Sequence, residues 1–65
     1  MKIKIVNHSE NTTRVIDYPG TTLLFVNVHF TSFGFYRAVF VKRDHFEIYD
    51  KFENRHCYTI TKAKK

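Results

Sequence analysis

Apolar and polar residues alternate with a period of two along much of the chain. In 2–6, Ile3 and Ile5 point one way and Lys2 and Lys4 the other; in 13–18, Arg14, Ile16 and Tyr18 oppose Val15 and Asp17. Alternation with one wet face is the mark of a half-buried antiparallel strand. The runs FYRAVFVK (35–42), HFEIYD (45–50) and CYTITK (57–62) are equally rich in the β-branched and aromatic residues that suit a pleated sheet. TLLFVNVHF (22–30) differs. Read as a strand, it puts Leu24, Val26, Val28 and Phe30 on one face and Leu23 and Phe25 on the other, so both faces need cover. Such a strand sits at the centre of a barrel or beneath a second subunit.

Punctuation between the runs is sparse. NHSENTT (7–13) is a polar cluster, and YPGT (18–21) places Pro19 and Gly20 where a type II turn wants a fixed φ and a positive φ. RDH (43–45) and FENRH (52–56) are weaker turn signals. Asp44 and Glu47 have the spacing of a capping box and Phe46, Tyr49 and Phe52 recur every three residues, which leaves a short helix near 45–55 open beside the strand reading. The resulting expectation is an all-β chain with five or six short antiparallel strands, forming a small barrel or a curled sheet, with consecutive strands paired. No repeat or linker divides it, so a single domain over 1–61 is followed by a basic tail, 62–65.

Composition narrows the chemistry. At 65 residues the chain buries only roughly 60% of its unfolded surface, and a core of this size rarely supplies more than about 3–5 kcal/mol. Its single cysteine, Cys57, excludes an intramolecular disulfide and fits a reducing compartment; with no apolar leader and no run near the roughly 18 apolar residues of a membrane span, the expected location is cytoplasmic and away from membranes. The four histidines include no pair at metal-site spacing, and His56 and Cys57 are adjacent, which on a strand turns them to opposite faces. Neither a metal nor another cofactor is expected. The carboxylates Asp44, Glu47, Asp50 and Glu53 are interleaved with Lys42, Arg43, Lys51 and Arg55, the look of a solvated face, and no glycine-rich phosphate loop exists. The chain reads as a binding protein and not an enzyme.

Eleven Lys and Arg against six Asp and Glu give a net charge of +5, a surplus that attracts polyanions, although three of the cations fall in the last four residues. FYRAVFVKRDHF (35–46) mixes rings with cations, the combination that single-stranded nucleic acid selects. The overlapping FGFYRAVFV (33–41) is no RNA-recognition-motif signature, because Ser32 and Phe33 stand where the basic residue belongs and that fold needs a longer chain with two helices. On a strand over 35–43, Val39, Phe40 and Val41 are expected in the core, with Arg37, Lys42 and Arg43 at the rim and Tyr36 the exposed ring. The candidate contact residues are therefore Arg37, Lys42, Arg43, Lys51 and Arg55 for phosphates and Tyr36 and Tyr49 for bases. The expected partner is nucleic acid or a nucleic-acid-associated protein. The alternative is a small accessory or inhibitor of phage or mobile-element type that binds a host protein complex, a reading suited by the wealth of Lys, Asn, Ile, Phe and Tyr. The doubly apolar run 22–30 adds the expectation of a homodimer.

Overall fold

A computed structural model describes residues 1–63. Five strands, β1 (Lys2–Asn7), β2 (Thr12–Asp17), β3 (Tyr36–Lys42), β4 (His45–Asp50) and β5 (His56–Lys62), form one antiparallel sheet in the order β2-β1-β5-β4-β3. β1 and β2 make a hairpin, β3, β4 and β5 a meander, and the central pairing of β1 with β5 joins the two. The sheet is open and curled, not closed into a barrel, and β2 and β3 are its edges. Lys62 ends β5, so the basic tail expected at 62–65 starts inside a strand; its last two residues lie outside the described ones.

The run 22–30 is a helix, α1 (Thr22–His29), and not a strand. Leu, Val and Phe all round it conceal its period, yet the buried positions Thr22, Phe25, Val26 and Phe30 follow the spacing of one helical face. Intrinsic propensity disfavours a helix of this composition. Burial decides otherwise: Ile3, Ile48 and Ile60, fully buried in β1, β4 and β5, lie beneath Phe25, Val26 and Phe30 of α1 and the turn after it. Each such side chain gains about 1.5–3 kcal/mol relative to exposure. The helix starts at Thr21, whose hydroxyl accepts the Leu24 N–H at 3.1 Å. It ends through a 3₁₀ turn, Thr31–Phe33, and Gly34 at φ 79°, a left-handed conformation that glycine adopts without a steric penalty. The chain thus crosses one face of the sheet from the β2 edge to the β3 edge.

Two turns use the same device. Asn7 Oδ1 accepts the N–H groups of Ser9 and Glu10, and Asp50 Oδ1 those of Phe52 and Glu53, and each loop closes on a left-handed asparagine, Asn11 or Asn54. The alternative helix near 45–55 is therefore absent: its first half is β4 and its second half this turn. Gly20 has no positive φ, so 18–21 is not a type II turn. Its hydrogen leaves room for Leu24, since a Cβ there would come within 2.7 Å of Leu24 Cδ2. Val39 is half-buried, whereas Phe40 and Val41, expected in the core, are exposed at 65% and 47%. Phe40 does point to the helix side, but α1 does not reach the outer edge, and Val41 is displaced by a register shift between Phe40 and Lys42.

Candidate nucleic-acid interface

Because α1 covers one face of the sheet, the alternation that buries Ile3, Ile60, Phe46 and Ile48 turns their neighbours to the other, helix-free face. Pairing then assembles rows across it. Lys4, Thr61 and His45 form one row; Val6, Thr59, Glu47 and Val39 the next; His56, Tyr49 and Arg37 the third. A register shift between Ile48 and Tyr49 sets His56, not Cys57, opposite Tyr49.

The third row is a file of planar groups. The Arg37 guanidinium lies 5.0 Å from the centre of the Tyr49 ring, Tyr49 stacks on His56 at 5.0 Å and 23°, and His56 meets His8 at 4.4 Å. Hydrogen bonds fix both ends: Arg37 Nη2 donates to Asn54 Oδ1 at 2.7 Å, while Thr59 Oγ1 lies 2.8 Å from His8 Nε2 and 3.3 Å from His56 Nε2. Tyr49 donates to Glu47 Oε1 at 3.2 Å. Desolvation against the sheet, with that bond and the Glu47 charge, holds the Tyr49 phenol above its ordinary pKa; Arg37 acts in the opposite sense.

At the other end of the sheet the strand ends gather cations, Lys2, Lys4 and Lys42 on the helix-free face and Lys62, which pairs with the buried Ile3, on the helix side. Lys42, Arg43 and Lys62 line an open pocket of about 320 Å³ together with Asp44, His45 and Thr61, and Lys2 and Lys4 rise from the adjoining β1. Asp44 Oδ1 accepts the Thr22 hydroxyl at 2.7 Å, which anchors the β3–β4 turn to the start of α1. His45 Nε2 is buried with no hydrogen-bond partner among the described residues.

The seven candidate residues therefore divide. Arg37 and Tyr49 meet at one end of the helix-free face, and Lys42 lies at the other, with Arg43 in the turn that follows it. Lys51 and Arg55 belong to the β4–β5 turn, roughly 20–25 Å from Arg43 along the strands, and Arg55 pairs with Glu53 at 3.0 Å in the open. Tyr36 is on the opposite face, half-buried against Phe30 and Tyr58 at 5.5 and 6.0 Å, and is not an exposed ring. Sequence reasoning passed over Lys2, Lys4, His8, His56 and Thr59. The wet side of the first strand's alternation already marked Lys2 and Lys4; the two histidines, far apart in sequence, meet only through the β1–β5 pairing. Cys57 is half-buried, its Sγ 3.3 Å from the Arg55 carbonyl oxygen.

No protein family, curated protein or solved structure matches the chain. Among the described residues no three or more His, Cys, Asp or Glu side chains gather as a metal-binding group, and no helix is long and apolar enough to cross a membrane.

Proposed function

We propose that the chain is a non-catalytic module that binds single-stranded nucleic acid across the helix-free face of its sheet. The observation that carries this reading is the placement, on one uncovered face, of the file Arg37–Tyr49–His56–His8 and the cationic end formed by Lys2, Lys4 and Lys42, with Arg43 in the adjoining turn. The exposed ends of the file, Arg37 and His8, give unstacked bases a surface of any sequence, and the cations neutralise the phosphates between them. Arg37 serves both purposes, because a guanidinium stacks and carries charge. The competing reading, a protein-binding accessory or inhibitor, is favoured by a different observation, the exposed phenylalanines beside β3.

Anisotropy of a labelled single-stranded oligonucleotide, titrated at several salt concentrations, separates the two. Neutralising about three phosphates gives a slope of log K against log[salt] steeper than about −2, at roughly −0.7 for each phosphate on a single strand. Tyr49→Ala removes the ring against which Arg37 and His56 are held and is expected to cost about 1–3 kcal/mol in affinity, the range for loss of one stacked base, with the slope unchanged. Lys42→Ala and Arg43→Ala should each flatten the slope by about 0.7. Absence of binding at about 50 mM salt overturns the proposal.

A further inference from the structure

The outer edge of β3 is uncapped and apolar. Lys51 N–H donates to the Phe35 carbonyl at 3.0 Å, so Phe35, Arg37 and Val39 direct their backbone groups inward to β4. By the alternation of an antiparallel ladder, Tyr36, Ala38 and Phe40 direct theirs outward. No backbone hydrogen bond among the described residues satisfies that edge. Around it stand four exposed phenylalanines: Phe35 and Phe52 at its start, ring centroids 6.2 Å apart, Phe33 in the preceding turn, and Phe40 toward its other end on the helix side. The β2 edge offers only Val15 as an exposed large apolar side chain.

We infer that β3 pairs with β3 of a second copy, antiparallel about a two-fold axis at Ala38, to make one continuous ten-stranded sheet. Self-complementarity selects this occupant. Only residues with outward backbone groups can face each other as hydrogen-bonded pairs, which permits Ala38 opposite Ala38 and Tyr36 opposite Phe40 of the second copy. The small residue then sits at the axis, flanked on both sides by an aromatic pair of the kind that stabilises cross-strand contacts. On the other face Arg37 falls opposite Val39 of the second copy, so no like charges oppose each other. The irregularity between Phe40 and Lys42 ends the ladder before Lys42. The same two-fold brings the exposed Phe33 of the second copy toward an apolar pocket of about 300 Å³ beside Phe40, lined also by Thr22, Leu23 and Phe46. The axis stands perpendicular to the sheet, so the two helix-free faces become a single surface. The inference stands independently of what that surface binds.

Light scattering after size exclusion, with the purified chain at high micromolar concentration, should give a mass near twice 7.8 kDa. Phe40→Lys places a charge on the edge at a position exposed in the single chain, and should return the mass to 7.8 kDa with an unchanged far-ultraviolet spectrum. A second variant makes the assignment independent of that one. In a Cys57→Ser background, Ala38→Cys should form a disulfide-linked dimer on mild oxidation, since facing residues of a hydrogen-bonded pair have Cα atoms about 5.5 Å apart. A monomeric mass for the native chain overturns the inference. So does a dimer that persists in folded Phe40→Lys and fails to cross-link through position 38.

Discussion

Single residues decide which face of this small sheet is polar. Tyr49 and Tyr58 show how one residue type takes two roles. Tyr49 stands on the helix-free face between Arg37 and His56, while Tyr58 lies on the helix side, its ring 5.0 Å from Phe30. Burial, followed by the adjacent Tyr36, raises the Tyr58 phenol above its ordinary value. The consequence for stability has a definite sign. Above about pH 10 an unfolded tyrosine begins to lose its proton while the folded one retains it, so the unfolded state binds fewer protons and stability falls as pH rises. The contribution is fully present below that pH. Comparing urea midpoints at pH 8 and pH 10.5, the native chain should lose more stability than Tyr58→Phe; equal losses would show that Tyr58 carries no such linkage. Reading these roles from sequence succeeds where alternation is clean and fails where a ring count substitutes for a face. Tyr36 reads as exposed in the sequence because a phenol tolerates water, but its even-numbered neighbour Ala38 packs on the core and Tyr36 shares that side.

At the scale of elements, the strands were legible and the helix was not. β1, β2, β4 and β5 each keep polar residues on one side, and a period of two needs no tertiary context to be seen. In 22–30 the residues that face the sheet and those that face solvent are alike apolar: Leu23 and Leu24, exposed at 53% and 48%, resemble the buried Phe25 and Val26. The informative signals were Thr21 immediately after Pro-Gly, and the spacing of Thr22, Phe25 and Val26. The same misreading supplied the first reason to expect a dimer, a doubly covered strand that does not exist; the β3 edge provides a different one. An eight-residue helix built from poor helix formers depends on its cap and its packing. Thr21→Ala removes the side-chain acceptor at its start and is expected to cost about 1 kcal/mol, read as a lowered urea midpoint with an unchanged m-value. With a total near the 3–5 kcal/mol usual at this size, that is a substantial fraction. A change below about 0.3 kcal/mol would mean that tertiary burial alone holds the helix, against the usual worth of such a cap.

For the whole molecule, connectivity creates the functional asymmetry. The crossover from β2 to β3 lays α1 on one face, and the five-stranded sheet is left with a second face that carries planar groups at one end and cations at the other. Neither end is contiguous in sequence. Lys4 reaches His45 only through Thr61 of β5, and His8 reaches Tyr49 only through His56, which is why a search for one dense stretch found Arg37, Lys42 and Arg43 but scattered the rest. The central claim, that this face and not the helix side receives a nucleic-acid strand, is tested most directly by methyl signals in a magnetic-resonance titration with a single-stranded oligonucleotide at about 50 mM salt. The account predicts that the methyl groups of Val6, Val39, Thr59 and Thr61 shift while those of Leu23, Leu24 and Val28 stay in place. Shifts confined to the leucines and Val28, or none at saturating oligonucleotide, would contradict it.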